Sequence, residues 1–266
     1  MHLDFNAKRG FICDMDGVIY HGNRVLPGVA EFIQWLHDEE KEFLFLTNNS
    51  GYTPRELQQK LARLGLDVSE DHFYTSALAT AAFLREQAPG CSVFAIGEAG
   101  LLNALYDAGI TMNDVNPDYV VVGEGRAYSL DTLTKATNLV YNGAKLIGAN
   151  SDVSGPVEGG IAPSCGALVA PIELATGKKA YFCGKPNPLM MRTGLRLLNC
   201  HSADAVMVGD RIFDMEAARG NSIPFIGCLY GYCPAEMAGS DRTVDCAAAI
   251  FDAVQDLIGE PVKAAW

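Results

Sequence analysis

The chain has no long apolar run and no excess of basic residues, and both absences narrow its function. No stretch approaches the ~18 consecutive apolar residues that indicate a membrane-spanning helix. Only 20 lysines and arginines stand against 32 acidic residues, which gives a formal charge of −12. Nucleic acids and anionic membranes are bound through basic surfaces. The composition therefore disfavours both as partners, whereas one lysine and a metal ion could still hold a small phosphate group.

Disulfide and zinc patterns are missing as well. The eight cysteines are dispersed, without a CxxC pair or a Cys/His cluster of zinc spacing. We therefore expect reduced, buried thiols and a reducing compartment. The first residues, MHLDFNAKRG, contain no apolar signal core. Together these features predict a cytoplasmic protein.

The common nucleotide-binding motifs are incomplete. The stretches GEAG (97–100) and GEGRAY (123–128) carry paired glycines, but neither completes GxGxxG. The sequence contains no GxxxxGK[ST] loop either. A nicotinamide dinucleotide site and a P-loop kinase are thus both disfavoured.

What the chain does contain is a regular alternation of short apolar runs with helical patterns. It has 266 residues, 49% of them hydrophobic, which is ample for a sizeable core. Alternating strands and helices are typical of βαβ units and a doubly wound parallel sheet. We predict an α/β fold with strands at 10–13, 43–46, 73–75, 93–96, 119–122, 145–147, 181–183, 205–208 and 225–226.

Two candidate seams, at 87–91 and 176–186, enclose a segment with its own βα pattern. About 90 residues are enough for a separate domain. The sequence therefore predicts a core formed by residues 1–89 and 181–266, with an α/β domain inserted over 90–180.

Polar residues follow the apolar runs at the predicted strand ends. In a doubly wound sheet, ligands bind beyond the carboxyl ends of the strands. The residues at these ends are Asp14 and Asp16 after FIC, Thr47, Asn48 and Asn49 after FLFL, Lys185 after YFC, and Asp210 and Asp214 after AVMVG. If these strands are parallel neighbours, several carboxylates, a hydroxyl, an amide and an ammonium group meet at one edge.

Such a group of carboxylates needs a proton or a cation among them, because like charges repel strongly at low dielectric. The donors are oxygens, with no histidine or cysteine cluster nearby, so magnesium is the expected ion. A phosphate group that bridges Mg²⁺ and the lysine is the natural ligand. Taken alone, each feature is commonly a turn, a helix cap or a surface lysine; their order at strand ends favours the site.

The four stretches DMDG (14–17), LTNNS (46–50), GKP (184–186) and GDRIFD (209–214) resemble the ordered motifs of the haloacid dehalogenase superfamily of phosphohydrolases. The surrounding sequence is similar to its NagD-type branch, which includes para-nitrophenyl, phosphoglycolate and nucleotide monophosphatases. This similarity extends from residue 11 to about 230. The ending GCLYGYCPAEM is less like that of NagD, so the resemblance transfers the motifs more strongly than the substrate.

The resemblance implies a role for each motif residue. Asp14 would be the nucleophile that forms an aspartyl-phosphate, and Asp16 the general acid and then the base for water. That role of Asp16 requires a raised pKa, which we expect a neighbouring negative charge to provide. Thr47 and the Asn48 amide, with Asn49 beside them, would bind phosphate oxygens. Lys185 would bind substrate and neutralise the developing charge.

The resemblance also implies a magnesium site. Its ligands would be the Asp14 carboxylate, the Asp16 main-chain carbonyl and Asp210. Asp214 would be either a further ligand or a residue that orients the ligands. GDRIFD is shorter than the GDxxxxD spacing usual in the closest branch, which leaves those two roles of Asp214 open.

The predicted insertion matches the α/β cap domain of this branch, which covers the phosphate site and contacts the leaving group. Within it, GANSDVSG (148–155) resembles the cap loop, so Asn150 and Asp152 are expected to face the substrate or else to lie in a solvated loop. Cap surfaces often serve as subunit interfaces in this family, which is compatible with a homo-oligomer.

The sequence thus predicts a Mg²⁺-dependent phosphomonoester hydrolase for small phosphorylated metabolites, such as nucleoside monophosphates or sugar phosphates. Two alternatives stay open: a protein that binds a phosphorylated metabolite without turnover, and a sugar-phosphate phosphotransferase. The first is disfavoured because all motif residues are present, and the second because such enzymes generally carry a helical cap. A signalling receiver is disfavoured because its acidic and threonine motifs follow a different order along the chain from the order found in this sequence.

Overall fold

The structure, a computed structural model, describes residues 8–126, 128–157 and 159–250. Over these residues the strands are β1 (Gly10–Cys13), β2 (Tyr20–His21), β3 (Arg24–Val25), β4 (Glu42–Thr47), β5 (Phe73–Thr75), β6 (Ser92–Ile96), β7 (Thr111–Met112), β8 (Tyr119–Val122), β9 (Lys145–Gly148), β10 (Ser154–Val157), β11 (Gly160–Pro163), β12 (Tyr181–Phe182), β13 (Ala205–Gly209), β14 (Phe225–Cys228) and β15 (Arg242–Val244). The helices are α1 (Val29–Asp38), α2 (Pro54–Arg63), α3 (Ser76–Gln87), α4 (Ala99–Asp107), α5 (Leu130–Tyr141), α6 (Cys165–Thr176), α7 (Pro188–Leu197) and α8 (Ile212–Arg219). Among the described residues, no helix combines the length and the apolar character needed to cross a bilayer.

The described chain divides into two compact units. The first contains residues 8–47, 58–74 and 185–250, and the second contains 48–57 and 75–184, in each case as far as they are described. The predicted ends 1–7 and 251–266 of the core segments lie outside the described residues.

These bounds differ from the sequence-based boundaries at 90 and 180. Helix α3 belongs to the second unit because it buries Ala77 and Leu84 in one apolar cluster with Val93 and Leu101. Strand β12 belongs there too, because it pairs with β9. The identification of the units as the core and the cap of the family stays a prediction.

The first unit is built on a six-stranded sheet in the order β15-β14-β13-β1-β4-β5. Strands β15, β14, β13, β1 and β4 pair in parallel, and Cys13 lies opposite both Val208 and Phe45. The condition set in the sequence analysis, that the strands before Asp14, Thr47 and Asp210 are parallel neighbours, is thus met by β1, β4 and β13. Every residue of β1 and β13 is buried, as expected for strands covered on both faces.

The second unit contains a five-stranded parallel sheet in the order β12-β9-β8-β6-β7. Side chains alternate between the two faces of a strand. Accordingly, Val121 packs into the cluster with α3 and α4, whereas Val120 and Val122 pack into the cluster with α5 and α6. The predicted α/β class with parallel sheets is confirmed for both units.

One strand does not meet the condition set in the sequence analysis, that the strands ending at the polar residues are parallel neighbours. The apolar run before Lys185 forms β12, an edge strand of the second unit's sheet. Its hydrogen-bonded partner is β9, with Tyr181 opposite Ile147. A short apolar run predicts a strand but does not reveal its partner, because pairing is a tertiary choice.

Candidate active site

Three predicted site residues lie at one edge of the first unit's sheet. Asp14 directly follows β1, Asp210 directly follows β13, and Thr47 is the last residue of β4. The strands β13, β1 and β4 are parallel neighbours, so their carboxyl ends meet at that edge. The Asp14 N–H donates to the Val208 carbonyl at 2.9 Å, which extends the ladder into the site. The three strand ends therefore converge as expected, and the roles of these residues in binding and catalysis stay predictions.

Lys185 lies between two buried carboxylates of this unit. Its Nζ donates to Asp14 Oδ1 at 2.5 Å and to Asp214 Oδ1 at 2.7 Å. All three residues are buried. The other Asp214 oxygen accepts from the backbone N–H groups of Asp210 and Arg211. Asp214 therefore orients Lys185 and is itself held by the start of α8.

Asp210 is fully buried at the carboxyl end of β13. Oδ2 accepts from the Tyr232 N–H at 2.7 Å, whereas Oδ1 has no hydrogen-bond partner among the described residues. Glycines enclose this carboxylate: a Cβ at Gly17 or at Gly231 would collide with it. Gly17 also has φ +98°, a conformation that favours glycine. Both the close approach of Asp210 and this backbone conformation therefore require glycine at position 17.

The three carboxylates form a compact acidic group. Asp14, Asp210 and Asp214 each place an oxygen within 4.8 Å of the others. With three negative charges and the single positive charge of Lys185, the group carries −2 when all members are ionised. Unpaired charge is unfavourable in a buried site, so a divalent cation or protons must compensate it. Three hard oxygen donors, among them an Asp210 oxygen without a hydrogen-bond partner in the described residues, fit Mg²⁺.

The pKa values of the group reflect its burial first and the neighbouring charges second. Burial, opposed by Lys185 and reinforced by Asp214, raises the pKa of Asp14 to about 7. Burial, together with the charges of Asp14 and Asp214, raises the pKa of Asp210 to about 8. Burial alone would lower the pKa of Lys185, but the two carboxylates outweigh it and raise that pKa above its ordinary value. Lys185 is therefore a permanent cation.

Asp16 points to a different set of groups from Asp14. Its Oδ1 accepts from the Tyr232 hydroxyl at 3.1 Å. Burial raises the pKa of Asp16, and the Tyr232 hydrogen bond and the charges of Lys60 and His21 oppose that rise. The expectation that a neighbouring negative charge raises this pKa is wrong, because removal from water is the cause. The Tyr232 hydroxyl donates to Asp16 and the Tyr232 backbone N–H donates to Asp210, so one residue holds both carboxylates.

In the second unit, the predicted residues Asn48, Asn150 and Asp152 lie together. Asn150 is fully buried, and its Nδ2 donates to the Asn48 carbonyl at 2.6 Å. Asn48 Nδ2 donates to Asp152 Oδ2 at 3.1 Å, and the Asp152 N–H donates to Asn150 Oδ1 at 3.1 Å. These contacts join the segment after β4 to the loop after β9. The predicted contact of Asn150 and Asp152 with substrate stays a prediction.

Asn49 stabilises a turn. Its Oδ1 accepts from the backbone N–H groups of Gly51 and Tyr52, at 3.0 and 3.1 Å. Asparagine commonly bonds the backbone two residues ahead in this way. A local structural role is thus visible for Asn49, and its contact with phosphate stays a prediction.

Two residues that contact the predicted site residues were not identified from the sequence, Tyr232 in the first unit and Glu124 in the second. Tyr232 lies in an irregular stretch after β14, where no strand-end pattern or motif marked it. Glu124, in contrast, follows β8 at the carboxyl end of a strand and accepts hydrogen bonds from Ser50, Asn150 and Ser164. Applying the strand-end rule to the second sheet would have identified Glu124.

Comparison with known proteins bears on this site. Two family models match the chain, one described as haloacid dehalogenase-like hydrolase over residues 11–111 and one as HAD-hydrolase-like over residues 182–257. The matched segments include Asp14, Asp16, Lys185, Asp210 and Asp214, the acidic and basic residues of the site in the first unit.

Similar proteins are phosphatases by name. Dihydroxyacetone phosphatase of Corynebacterium glutamicum is 45% identical over 76% of this chain and 74% of its own length. Ribonucleotide monophosphatase NagD of Escherichia coli is 44% identical over 77% of this chain and 80% of its own. The solved structure of 4-nitrophenylphosphatase from Thermotoga maritima aligns with a TM-score of 0.89 at 30% identity and covers 94% of this chain and 98% of that one.

These relatives confirm the predicted enzyme class, a phosphatase. The similarity extends well beyond the motifs and covers sequence and fold together. The chain therefore belongs to the haloacid dehalogenase-like hydrolases, in the branch of NagD and the para-nitrophenyl phosphatases.

Proposed function

We propose that the protein is a Mg²⁺-dependent phosphomonoesterase that hydrolyses small phosphorylated metabolites through an aspartyl-phosphate on Asp14. The observation that carries the proposal is the buried Asp14 carboxylate, held by Lys185 at 2.5 Å within the acidic group of Asp210 and Asp214. Phosphoryl transfer depends mainly on positioning and charge neutralisation, and these residues supply both.

The metal would be held by Asp14, the Asp16 main-chain carbonyl and Asp210, whose buried Oδ1 lacks another partner among the described residues. Both Asp214 oxygens already accept hydrogen bonds, which favours an orienting role over direct ligation. When bound, Mg²⁺ neutralises the negative charge that otherwise repels the phosphate from Asp14.

In the first step, an Asp14 oxygen attacks phosphorus and the bond to the ester oxygen breaks. The leaving oxygen takes its electron pair and the proton of Asp16. In the second step, Asp16 accepts a proton from water, which attacks phosphorus and releases inorganic phosphate and Asp14. Lys185 orients Asp14 and balances charge, while Thr47 and the Asn48 amide bind phosphate oxygens.

The burial of Asp16 supports its role as the acid. Because burial raises its pKa, a proton is retained closer to neutral pH than on an exposed aspartate. The Tyr232 hydroxyl donates a hydrogen bond of 3.1 Å to this carboxylate and fixes its orientation. Tyr232 is thus proposed to position Asp16 without contacting the reacting atoms.

The proposed substrates are nucleoside monophosphates and sugar or triose phosphates. The named relatives act on ribonucleotides and on dihydroxyacetone phosphate, and this range supports the class of substrate. The charge of −12 supports small metabolites over nucleic acids or anionic membranes as partners. A homo-oligomer is also proposed, by analogy with family members whose cap domains form subunit interfaces.

The test is phosphate release from a panel of nucleoside monophosphates, sugar and triose phosphates, phosphoglycolate and para-nitrophenyl phosphate, with and without Mg²⁺. Asp14→Asn and Asp16→Asn should abolish turnover, whereas Asp107→Asn, at an exposed position of α4, should not. Metal-independent turnover, or turnover retained in Asp14→Asn, would contradict the mechanism. Tight binding of esters without any turnover would replace it with a binding function.

A further inference from the structure

Glu124 accepts hydrogen bonds from three segments of the second unit. It follows β8 directly after Gly123, and its side chain is half-buried. Its Oε2 accepts from Ser50, and its Oε1 accepts from Asn150 at 3.2 Å and from Ser164 at 3.0 Å. Among the described residues, no lysine or arginine forms an ion pair with this carboxylate. Neutral donors therefore satisfy it.

The contact between Glu124 and Ser50 is reciprocal. Oε2 accepts from the Ser50 N–H at 2.9 Å and from its hydroxyl at 3.4 Å, and the Glu124 N–H donates to Ser50 Oγ at 2.8 Å. The segments approach closely, since a Cβ at Gly123 would lie 2.9 Å from Ser50 Oγ. Ser50 is thus fixed to the end of β8.

A second connection leads from Glu124 to Asn48 through Asn150. Asn150 Nδ2 donates one hydrogen bond to Glu124 Oε1 at 3.2 Å and another to the Asn48 carbonyl at 2.6 Å. Both of its hydrogens are used, so the orientation of the Asn150 amide depends on both acceptors. The Ser76 hydroxyl adds a second hydrogen bond to the Asn48 carbonyl at 2.5 Å. Glu124 therefore holds the turn 48–50 at both ends.

We propose that Glu124 is a positioning residue for the phosphate-binding turn 48–50. The inference rests on the proposed function, in which the Asn48 amide binds phosphate. Donors that are fixed before the substrate arrives stabilise charge without a reorganisation cost. By fixing Ser50 directly and the Asn48 carbonyl through Asn150, Glu124 holds the peptide groups of the turn in one orientation.

The carboxylate cannot be replaced by its isostere. Each of its oxygens faces an N–H donor, the Ser50 backbone on one side and Asn150 Nδ2 on the other. In Glu124→Gln, an NH₂ group must face one of these donors whichever way the amide turns. The substitution preserves side-chain volume, so it disrupts the turn without creating a cavity.

Glu124→Gln is therefore the test, and Ser164→Ala is its matched control. Ser164 donates to the same Glu124 oxygen but belongs to neither connection with the turn. We measure kcat and KM for the best ester, inhibition by inorganic phosphate, hydrogen exchange of a peptide covering 48–52, and the thermal midpoint.

In Glu124→Gln we expect kcat/KM to fall about tenfold, mainly through KM, with phosphate inhibition weakened by a similar factor. Amide exchange in 48–52 should accelerate while the thermal midpoint changes little. Ser164→Ala should change each kinetic constant less than twofold. Ser50→Ala, which keeps the Ser50 N–H bond but loses the hydroxyl contacts, should give a smaller effect in the same direction and serves if Glu124→Gln does not fold.

Phosphate affinity and exchange in Glu124→Gln equal to those of Ser164→Ala would overturn the inference. The proposed function is judged separately on the unmodified enzyme. Failure of the wild type to hydrolyse any ester would reject that function, whereas hydrogen exchange of 48–52 in the same variants would still decide whether Glu124 holds the turn.

Discussion

At the scale of single residues, Lys185 illustrates how the site balances charge. Removing one member of a buried ion pair leaves the other without compensation and costs about 3–5 kcal/mol. Lys185 has two such partners, Asp14 and Asp214, and its side chain is only 3% exposed. Lys185 is therefore expected to contribute to stability in addition to the catalytic role proposed for it.

Replacing Lys185 with methionine should reduce phosphatase activity at least ~100-fold and the free energy of unfolding by about 3 kcal/mol. Urea unfolding and phosphate release measure the two effects. Lys179→Met is the control, because the Lys179 side chain is 85% exposed and its pairing with Glu173 should contribute under ~1 kcal/mol. Equal effects in the two variants would contradict the assignment.

Asp210 makes the metal-free protein sensitive to pH. Its pKa is raised to about 8 in the folded state and is near 3.8 when unfolded. The folded state therefore binds the proton more tightly, and stability is lost as pH rises from about 4 through 8. Asp210→Asn should be more stable than wild type by at least ~1 kcal/mol at pH 8.5, with the difference vanishing near pH 4.

Thermal unfolding across this pH range, with a chelator present, measures the difference between Asp210→Asn and wild type. Addition of Mg²⁺ should raise the midpoint of the wild type and leave that of Asp210→Asn nearly unchanged. A variant that is less stable than wild type at pH 8.5 would show that burial and the neighbouring charges do not disfavour the ionised Asp210 carboxylate.

Tyr232→Phe tests how Asp16 is positioned. The substitution removes the hydroxyl bond to Asp16 but keeps the backbone bond to Asp210. We expect kcat for a sugar phosphate to fall about tenfold with KM nearly unchanged. The decrease should be smaller for para-nitrophenyl phosphate, whose leaving group needs little protonation. Tyr141→Phe, at a position 74% exposed, is the control and should change neither constant. If Tyr232→Phe lowered kcat equally for the sugar phosphate and for para-nitrophenyl phosphate, Tyr232 would not act through protonation of the leaving group by Asp16.

At the scale of secondary-structure elements, local sequence explains how helices begin. Thr53 Oγ1 accepts from the Glu56 N–H at 3.2 Å, and Glu56 Oε2 accepts from the Thr53 N–H at 2.8 Å. Pro54 follows as the first residue of α2, as the TPRE pattern predicts. Similarly, Ser129 accepts from the Thr132 N–H at the start of α5. Such contacts span three residues and are readable in the sequence.

Thr53→Ala should therefore reduce the free energy of unfolding by about 1 kcal/mol, because it removes the cap of α2. Denaturant unfolding measures this loss. Thr111→Ala, at an exposed position of β7, provides the comparison and should change stability by less than ~0.5 kcal/mol. No difference between the variants would mean that the capping bond contributes nothing net.

At the scale of the whole molecule, the cysteines follow the distribution expected for reduced thiols. All eight are free in the described residues; Cys13, Cys91, Cys165, Cys183 and Cys228 are buried, and the other three are half-buried. Burial raises the pKa of Cys165 and of Cys183 to about 12, which suppresses the reactive thiolate.

A thiol reagent applied to the native protein should therefore modify at most Cys200, Cys233 and Cys246 quickly. The five buried thiols should react only after unfolding, when they become accessible. Counting modified thiols by mass spectrometry over time, with and without denaturant, measures this. Rapid native modification of Cys165 or Cys183 would contradict the packing of the second unit.

Much of the site at the first unit's sheet edge was predictable because it follows a local rule. Asp14, Thr47 and Asp210 each end an apolar strand, and parallel neighbours bring such ends together. The sheet that receives the strand before Lys185 was not predictable, since a two-residue edge strand can pair with either sheet. Nor was Tyr232, whose partners Asp16 and Asp210 are 216 and 22 residues away.

The sequence by itself determined the α/β class, the helix starts and the carboxylates at the strand ends, because each depends on a pattern of a few residues. The tertiary structure alone decided that Asp214 orients Lys185, that burial raises the pKa of Asp16, and that Glu124 holds the turn 48–50. Desolvation and hydrogen bonding depend on which distant segments pack around a group, and local sequence does not encode that neighbourhood.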